Sequence, residues 1–334
     1  MPNSLGPVIS SILALGLFAS LVLWGHIVWR LAQGRELLAA SPRRVVPWRG
    51  VHVALAFFVY VIVPSLSLVL VAWRFGVPRL DELPRDNVQV LIWQLAGGSL
   101  LGVVAALLVV TYLKLDLSAT LADLGWSGRH LPGDIALGLG AFLVIAPPVY
   151  VLQYVLVLVY QQLYGESALH PLIEVIRAHP TPQMFFWSVV SAVLVAPLVE
   201  EFLFRVVLQG WLEKLVAGVR VAVRLAQEAT QDTSPSPPTP NPSHPPSPPG
   251  GTPDPPHRVS PGGGTPQRVV VAPIFISSAI FAVFHLEHGP APIPLFFLAL
   301  GLGYLYQKTH RILPALVVHT LLNGTSLFGV WFGE

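Results

Sequence analysis

Residues 198–207 read LVEEFLFRVV, a stretch that places two glutamates and an arginine in an otherwise apolar run. An ionisable side chain inside a membrane-spanning segment costs ~2.5–3.5 kcal/mol on insertion scales, so such residues rarely lack a role. Glu201 and Arg205 are four residues apart, which puts them on one face of a helix, where they can form a charge pair. Glu200 lies about 100° around that helix and has no partner nearby in sequence. The stretch therefore predicts a helix with a charge pair and one extra carboxylate.

The composition of the whole chain is that of a membrane protein. Of its 334 residues, 53% are hydrophobic and only 11% are charged, whereas about a quarter of a soluble domain is charged. This composition makes membrane lipid the expected partner. The net charge of +2 provides no large basic field, so we expect no nucleic acid as a partner. The chain has no cysteine, which excludes disulfides, thiolate catalysis and cysteine-ligated metals.

Apolar segments of about 20 residues, enough to span a bilayer, recur along the chain. The first is predicted to be a retained helix and not a signal peptide, because residues 1–29 contain no charge. The last three of the segments given below are short or separated by few residues, so seven spans are also compatible with the sequence. The expected fold is all-α, a polytopic transmembrane helix bundle of about eight spans. These spans are 8–29, 51–73, 88–113, 135–160, 184–209, 269–288, 291–308 and 312–332.

Basic residues in the loops orient this bundle. Assigning the first loop, with its five arginines, to the cytoplasm puts 14 of the 19 Lys and Arg residues on that side and four on the other. The positive-inside rule then places both termini outside and Glu200 in the cytoplasmic half. We expect a multi-pass protein of a bacterial cytoplasmic membrane, with its site toward the cytoplasmic half.

The fifth loop differs in kind from the rest of the chain. Residues 232–266 read DTSPSPPTPNPSHPPSPPGGTPDPPHRVSPGGGTP. A tract of Pro, Ser, Thr and Gly buries too little apolar surface to fold, and it favours extended polyproline segments. We expect a disordered, proline-rich loop at 230–267; a role as a PxxP ligand is the alternative interpretation.

Polar side chains also gather in two later apolar segments. His285 lies deep in the sixth predicted span, within FAVFHLEH, and His319 and Asn323 lie one helical turn apart within HTLLN. A lone intramembrane histidine is often only an interhelical hydrogen-bonding residue, and the charge pair could be structural. However, an unpaired carboxylate suits a general base, and an imidazole with a carboxamide can donate to an oxyanion. Together the three clusters predict a catalytic site.

In order and spacing, these motifs resemble those of the CPBP family of intramembrane proteases, which includes CAAX prenyl endopeptidases and bacteriocin-processing (Abi) proteins. The family motifs EExxxR, FxxxH and HxxxN read here EEFLFR, FAVFH and HTLLN. The resemblance covers about residues 120–330. It implies N-terminal transmembrane helices of unassigned role at 1–115 and a protease domain at 116–334, which the proline-rich loop interrupts.

The resemblance also implies a role for each motif residue in hydrolysing a peptide bond of a membrane-associated or prenylated peptide or protein. Glu200 and His285 would activate a water molecule, and His319 and Asn323 would stabilise the oxyanion. The residues that would support the site are Glu201, Arg205 and Phe281.

Metal dependence stays open at this point. The zinc signature HExxH is absent, and HLEH has the wrong spacing. Glu200, His285 and His319 could still form a zinc site with two imidazoles, one carboxylate and an open position. The same residues could act on water directly, and we favour this metal-free mechanism, with no cofactor certain and a divalent metal such as zinc as the alternative.

Other functions compete with a glutamate protease. GWSG at 125–128 matches the GxSG of rhomboid serine proteases, with Ser127 as the nucleophile, but it leaves Glu200 and Glu201 unexplained. A proton-coupled transporter would carry charges in several spans, whereas the spans outside the three motifs are almost uncharged. A catalytically silent membrane scaffold or immunity protein that keeps the fold is the third alternative.

Overall fold

The computed structural model describes residues 5–41, 45–84, 87–165, 171–232 and 270–332. These residues form helices and contain no strand, so the predicted all-α fold is confirmed. The α-helices, in chain order, are α1 Leu5–Ala32, α2 Gly50–Phe75, α3 Val88–Leu117, α4 Leu131–Tyr164, α5 Pro171–Ala178, α6 Pro182–Ser188, α7 Ala196–Glu201, α8 Gly210–Asp232, α9 Val271–Val283, α10 Pro292–Thr309 and α11 Leu313–Phe332.

Two π-helical segments, Val189–Val195 and Phe202–Gln209, flank the short helix α7. Short 3₁₀ turns occur at Leu80–Glu82 and Gly128–His130. Since π-helix is rare and often occurs at functional sites, the two segments mark α7 as an unusual part of the fold.

The number of membrane-spanning helices differs from the prediction. Within the described residues, five helices are long and apolar enough to cross a membrane, and the predicted count of about eight is not confirmed. The predicted span at 269–288 contains α9, which has only 13 residues. The segment predicted at 184–209 is divided between short α-helices and π-helical segments. The five helices are Ala14–Ala32, Gly50–Phe75, Val88–Leu117, Gly128–Tyr164 and Leu313–Phe332.

Local sequence explains where several helices begin and end. The Asn87 side chain accepts hydrogen bonds from the backbone N–H groups of Gln89 and Val90, and so caps the first turn of α3. Helices α2 and α4 end at Gly76 and Gly165, both with a φ of 67°. Glycine adopts this left-handed conformation without steric cost, so the chain can turn away from each helix.

The two largest buried clusters of the described residues join most of the long helices. The first joins α2 and α3 to the π-helical segment Phe202–Gln209 and to α9. The second joins α4, α10 and α11. Between membrane helices, close packing and interhelical hydrogen bonds stabilise association, because lipid tails are as apolar as the side chains they would replace. The stability of these clusters therefore depends on how closely the helices pack, and small residues at helix contacts allow that close packing.

The loop between α1 and α2 packs against the helical segment that carries the EEFLFR motif. Trp48 is fully buried, and its Nε1 donates a hydrogen bond of 2.9 Å to the carbonyl of Val207. Lys214 Nζ donates to the carbonyls of Pro47 and Trp48, at 3.2 and 2.9 Å. The N-terminal part of the chain thus fixes the position of the segment that follows α7.

The chain divides into two compact units, Met1–Lys214 with Val270–Glu334 and Leu215–Val269. Of the second unit, the structure describes residues 215–232, which continue α8. The predicted proline-rich loop at 230–267 thus overlaps the end of α8, and the rest of it lies outside the described residues. The domain boundary that the sequence predicts at 115/116 stays a prediction.

We expect Gly138→Ala to lower the free energy of unfolding by about 1–3 kcal/mol, the usual cost of overpacking. A Cβ at Gly138 would lie 2.6 Å from Cβ of Val317 on α11 and 3.0 Å from the carbonyl oxygen of Pro314. Gly140→Ala is the matched control on the same helix, because a Cβ there meets no atom within 4 Å. Thermal unfolding of the purified protein in detergent measures both variants, and equal melting temperatures would contradict this packing.

Candidate catalytic site

The fold brings most of the predicted site residues together from separate parts of the chain. Glu200 and Glu201 end α7, and Arg205 lies in the π-helical segment that follows. His319 reaches the two glutamates from α11. Residues far apart in the sequence thus form one buried polar cluster, which contains Glu200, Glu201, Arg205 and His319 and which we call the acidic cluster.

Glu201 lies at the centre of the acidic cluster, and both of its carboxylate oxygens are used. Oε2 accepts a hydrogen bond of 3.0 Å from Arg205 Nε, and both side chains have no exposed surface. Oε1 lies 2.9 Å from Nδ1 of His319. A charge buried this deeply requires a counter-charge and hydrogen bonds, and Glu201 receives both from Arg205 and His319.

His319 lies between the two glutamates. Because a carboxylate accepts hydrogen bonds, the contact with Glu201 requires a proton on Nδ1 of His319. The other ring nitrogen, Nε2, then faces Glu200, whose Oε2 lies 3.7 Å away. Glu201 therefore determines how His319 is oriented toward Glu200.

Glu200 is the member of the acidic cluster that solvent can reach. Its side chain is 17% exposed, compared with 0% for Glu201 and 3% for His319. Its electrostatic environment includes His319, His285, Glu201 and Arg205. An accessible carboxylate surrounded by fixed polar groups has the surroundings expected of a group that exchanges protons with water.

His285 lies just beyond the end of α9 and is partly buried. Its Nδ1 donates a hydrogen bond of 2.8 Å to the carbonyl of Phe281, because a carbonyl oxygen can only accept. The ring of Phe281 lies 4.7 Å from that of His285 and 6.0 Å from that of His319, between centroids. Its centroid is also 5.5 Å from the guanidinium carbon of Arg205. The ring of Phe281 thus lies beside both imidazoles and faces the arginine, and its carbonyl orients His285.

Asn323 makes its hydrogen bond away from the acidic cluster. Its Nδ2 donates to the carbonyl of Ala192 at 2.8 Å, so the amide connects α11 to the first π-helical segment. One N–H of the amide is thereby used, and the second is left for another acceptor. The sequence placed Asn323 and His319 on one helix face, and the structure adds a fixed orientation for the amide.

The residues proposed as zinc ligands are chemically suited to a metal but are not arranged as a metal site. Each imidazole holds its Nδ1 against an oxygen acceptor, which leaves Nε2 for another partner. Among the described residues, however, no three His, Asp or Glu side chains are grouped so that they could hold an ion. A zinc site of Glu200, His285 and His319 stays a prediction that this arrangement does not support.

Sequence reasoning missed a second buried polar network beside the acidic cluster. Gln209 Nε2 donates to Glu213 Oε1 at 3.1 Å and to the carbonyl of Gly303 at 2.9 Å. The side chain of Gln307 pairs with both the N–H and the carbonyl of Val270, at 2.9 Å each. The signal was present in the sequence, because Gln209 and Glu213 continue the four-residue spacing of Glu201 and Arg205.

Two further residues bear on the sequence interpretation. Ser127 precedes the turn Gly128–His130, and no hydrogen bond in the described part of the chain joins its hydroxyl to an imidazole. Tyr60, on α2, packs against the first buried cluster and lies within electrostatic range of Glu200. A tyrosine in an apolar span gave no sequence signal, since aromatic residues are ordinary there.

These features define the class of the protein: an all-helical membrane protein with a buried site of two glutamates, an arginine and histidines. The protein-family model "Type II CAAX prenyl endopeptidase Rce1-like" matches residues 182–227 and 260–325, about a third of the chain. All three motifs lie within these segments. This match confirms the resemblance to the CPBP family that the three motifs indicate.

No curated protein and no solved structure matches the chain. At the level of the family, the match supports a CAAX-type intramembrane endopeptidase, which is a protease. Together with the five apolar helices, it also supports an integral membrane protein. It adds no support for a metalloprotease.

We expect Glu201→Gln to destabilise the protein by about 3–5 kcal/mol, the usual cost of breaking a buried ion pair. The substitution preserves the shape of the side chain but leaves the buried Arg205 without its counter-charge. Thermal unfolding in detergent measures the loss, and Arg205→Met added to Glu201→Gln should recover part of it.

Glu200→Gln is the matched control for this prediction. It removes the neighbouring carboxylate, which does not pair with Arg205, and should therefore cost much less stability. Equal losses from Glu200→Gln and Glu201→Gln would show that Glu201 is not the counter-charge on which Arg205 depends.

Proposed function

We propose that this protein is an intramembrane endopeptidase that hydrolyses a peptide bond of a membrane-associated or prenylated peptide or protein. The observation that carries the proposal is the arrangement of Glu200, a partly exposed carboxylate at the edge of a buried, hydrogen-bonded cluster. Such a carboxylate can take a proton from water while its neighbours remain fixed. The family of the matched domain supports the reaction class.

In the proposed first step, Glu200 takes a proton from a water molecule while the water oxygen attacks the carbonyl carbon of the scissile peptide bond. His285 positions this water through Nε2, because its Nδ1 is held by the carbonyl of Phe281. The resulting intermediate carries a negative oxygen. When the C–N bond breaks, Glu200 returns the proton to the departing amine.

The negative oxygen of this intermediate requires hydrogen-bond donors that are already in place. We assign this role to Asn323 and to His319 in its protonated form, in which Nδ1–H stays on Glu201 and Nε2–H donates to the negative oxygen. Glu201 fixes the orientation of His319, and the carbonyl of Ala192 fixes that of Asn323, so neither donor has to reorganise during the reaction. Glu201, Arg205 and Phe281 act through these contacts and are positioning residues.

The proposed substrate class follows from the matched family. The description of the matched family names CAAX prenyl endopeptidases, which supports a prenylated peptide or protein as the substrate. Leader peptides of small secreted peptides are the second group to test. With the loop charges as oriented above, the site lies toward the cytoplasmic half of a bacterial membrane.

The test is peptide cleavage by the full chain, purified and reconstituted in liposomes and read by mass spectrometry. The substrates are a prenylated CAAX peptide and a leader peptide. We expect Glu200→Gln and His285→Ala to lower the cleavage rate by about 10²–10⁴-fold, the usual contribution of general acid–base catalysis. A metal-free mechanism predicts the same rate with and without a chelator.

Two control variants make this experiment specific. Glu287→Gln removes an exposed carboxylate close to His285 in sequence, and Ser127→Ala removes the rhomboid-type candidate. Both should cleave at the wild-type rate. Unchanged cleavage by Glu200→Gln would overturn the mechanism, and loss of cleavage in Ser127→Ala would favour the serine protease.

A further inference from the structure

A cleft that shares no residue with the acidic cluster lies between α1, α4 and α10. Its volume is about 540 Å³, within the range of ~300–1,000 Å³ that ligand pockets usually have. Most of its wall is aliphatic, and polar side chains are few. Representative wall residues are Leu23 and Ile27 of α1, Leu137 and Val144 of α4, and Leu300 and Leu305 of α10.

The cleft has a positively charged side chain in its wall. Arg30 lines it and donates through Nη2 to the carbonyl of Glu36 at 2.7 Å. The Nε of Arg30 is buried and has no hydrogen-bond partner within the described residues. The carboxylate of Glu36 pairs with Lys308 at 2.9 Å, and no carboxylate in the described part of the chain pairs with Arg30. Within the described residues, the guanidinium of Arg30 is therefore a cation without a counter-charge.

The charged side chain lies at the depth of lipid headgroups. Arg30 is in the last turn of α1 and directly follows Trp29; basic and aromatic residues at the end of an apolar helix are typical of the interface between membrane and water. Leu23 lies seven residues before Arg30, or about 10 Å along an α-helix. The apolar wall therefore extends from headgroup depth into the hydrocarbon region.

We propose that this cleft binds one anionic glycerophospholipid of the surrounding bilayer, with its phosphate at Arg30 and an acyl chain along the apolar wall. A guanidinium presents several donors to phosphate oxygens. His26 and Tyr304 also line the cleft and add polar groups. Basic pockets between transmembrane helices are known to bind anionic lipid headgroups. The amphiphilic pattern of the cleft matches such a lipid.

Gly140 makes the proposal testable by filling the cleft. It lines the cleft, and a Cβ added there would meet no atom within 4 Å. A side chain can therefore start at this position without a clash at Cβ, and the ring of a phenylalanine would occupy part of the cleft. Gly133, seven residues earlier on α4, also has open space around it but does not line the cleft. Gly133→Phe is the matched control.

The experiment is native mass spectrometry of the full chain in detergent, titrated with phosphatidylglycerol or phosphatidylcholine of identical acyl chains. We expect wild type to retain one phosphatidylglycerol about tenfold more tightly than phosphatidylcholine, because the choline ammonium of the latter offsets the charge of its phosphate beside Arg30. Arg30→Gln should abolish this preference, and Gly140→Phe should weaken retention of both lipids. Gly133→Phe and Arg35→Gln, which alter residues outside the cleft, should bind like wild type.

Three outcomes would overturn the proposal. Equal retention of the two lipids by wild type would show that the cleft does not select an anionic headgroup, since both lipids carry a phosphate and differ in net charge. Wild-type retention by a folded Gly140→Phe variant would place the lipid elsewhere; if that variant does not fold, the result for Arg30→Gln decides. A farnesylated peptide that displaces phosphatidylglycerol from wild type, and that does not bind to Gly140→Phe, would assign the cleft to a peptide substrate instead.

Discussion

The arrangement of the candidate site depends on one buried carboxylate, that of Glu201. One oxygen binds Arg205 and the other binds His319, so α7, the following π-helical segment and α11 meet at a single group. Removing a charge from water is costly unless its hydrogen bonds are replaced. Because both oxygens are satisfied, Glu201 can stay buried and fix the side of His319 that faces Glu200. The accessible carboxylate of Glu200 thus lies next to the fixed and inaccessible carboxylate of Glu201.

The helical segment that follows Glu201 is supported by a loop that lies outside the matched family segments. Trp48 donates to the carbonyl of Val207, and Lys214 holds the backbone of the same loop. Hydrogen bonds within a membrane protein count because the alternative is an unsatisfied polar group in a medium without water. The N-terminal residues therefore support the helical segment that follows Glu201, although they carry none of the three motifs.

The disagreement over the number of spans has a physical cause. Hydropathy detects apolar composition, but a segment crosses a bilayer alone only if it also forms a helix of about 20 residues. Val271–Val283 is apolar and too short, and α10 ends in the polar residues Gln307, Lys308 and Thr309, all buried. In 184–209, π-helical segments interrupt the α-helix on both sides of α7. The apolar composition of a segment alone does not reveal where its α-helix ends or is interrupted.

The sequence by itself determined the all-helical fold, the membrane as solvent and the three motifs, because apolar length and charge within apolar runs are local properties. The pair of Glu201 and Arg205 followed from helical spacing alone. Only the tertiary structure decided that His319 lies between the two glutamates, that Asn323 binds Ala192, and that Glu200 is the carboxylate exposed to solvent. These are contacts between distant segments, and they depend on how helices pack, which no local pattern encodes.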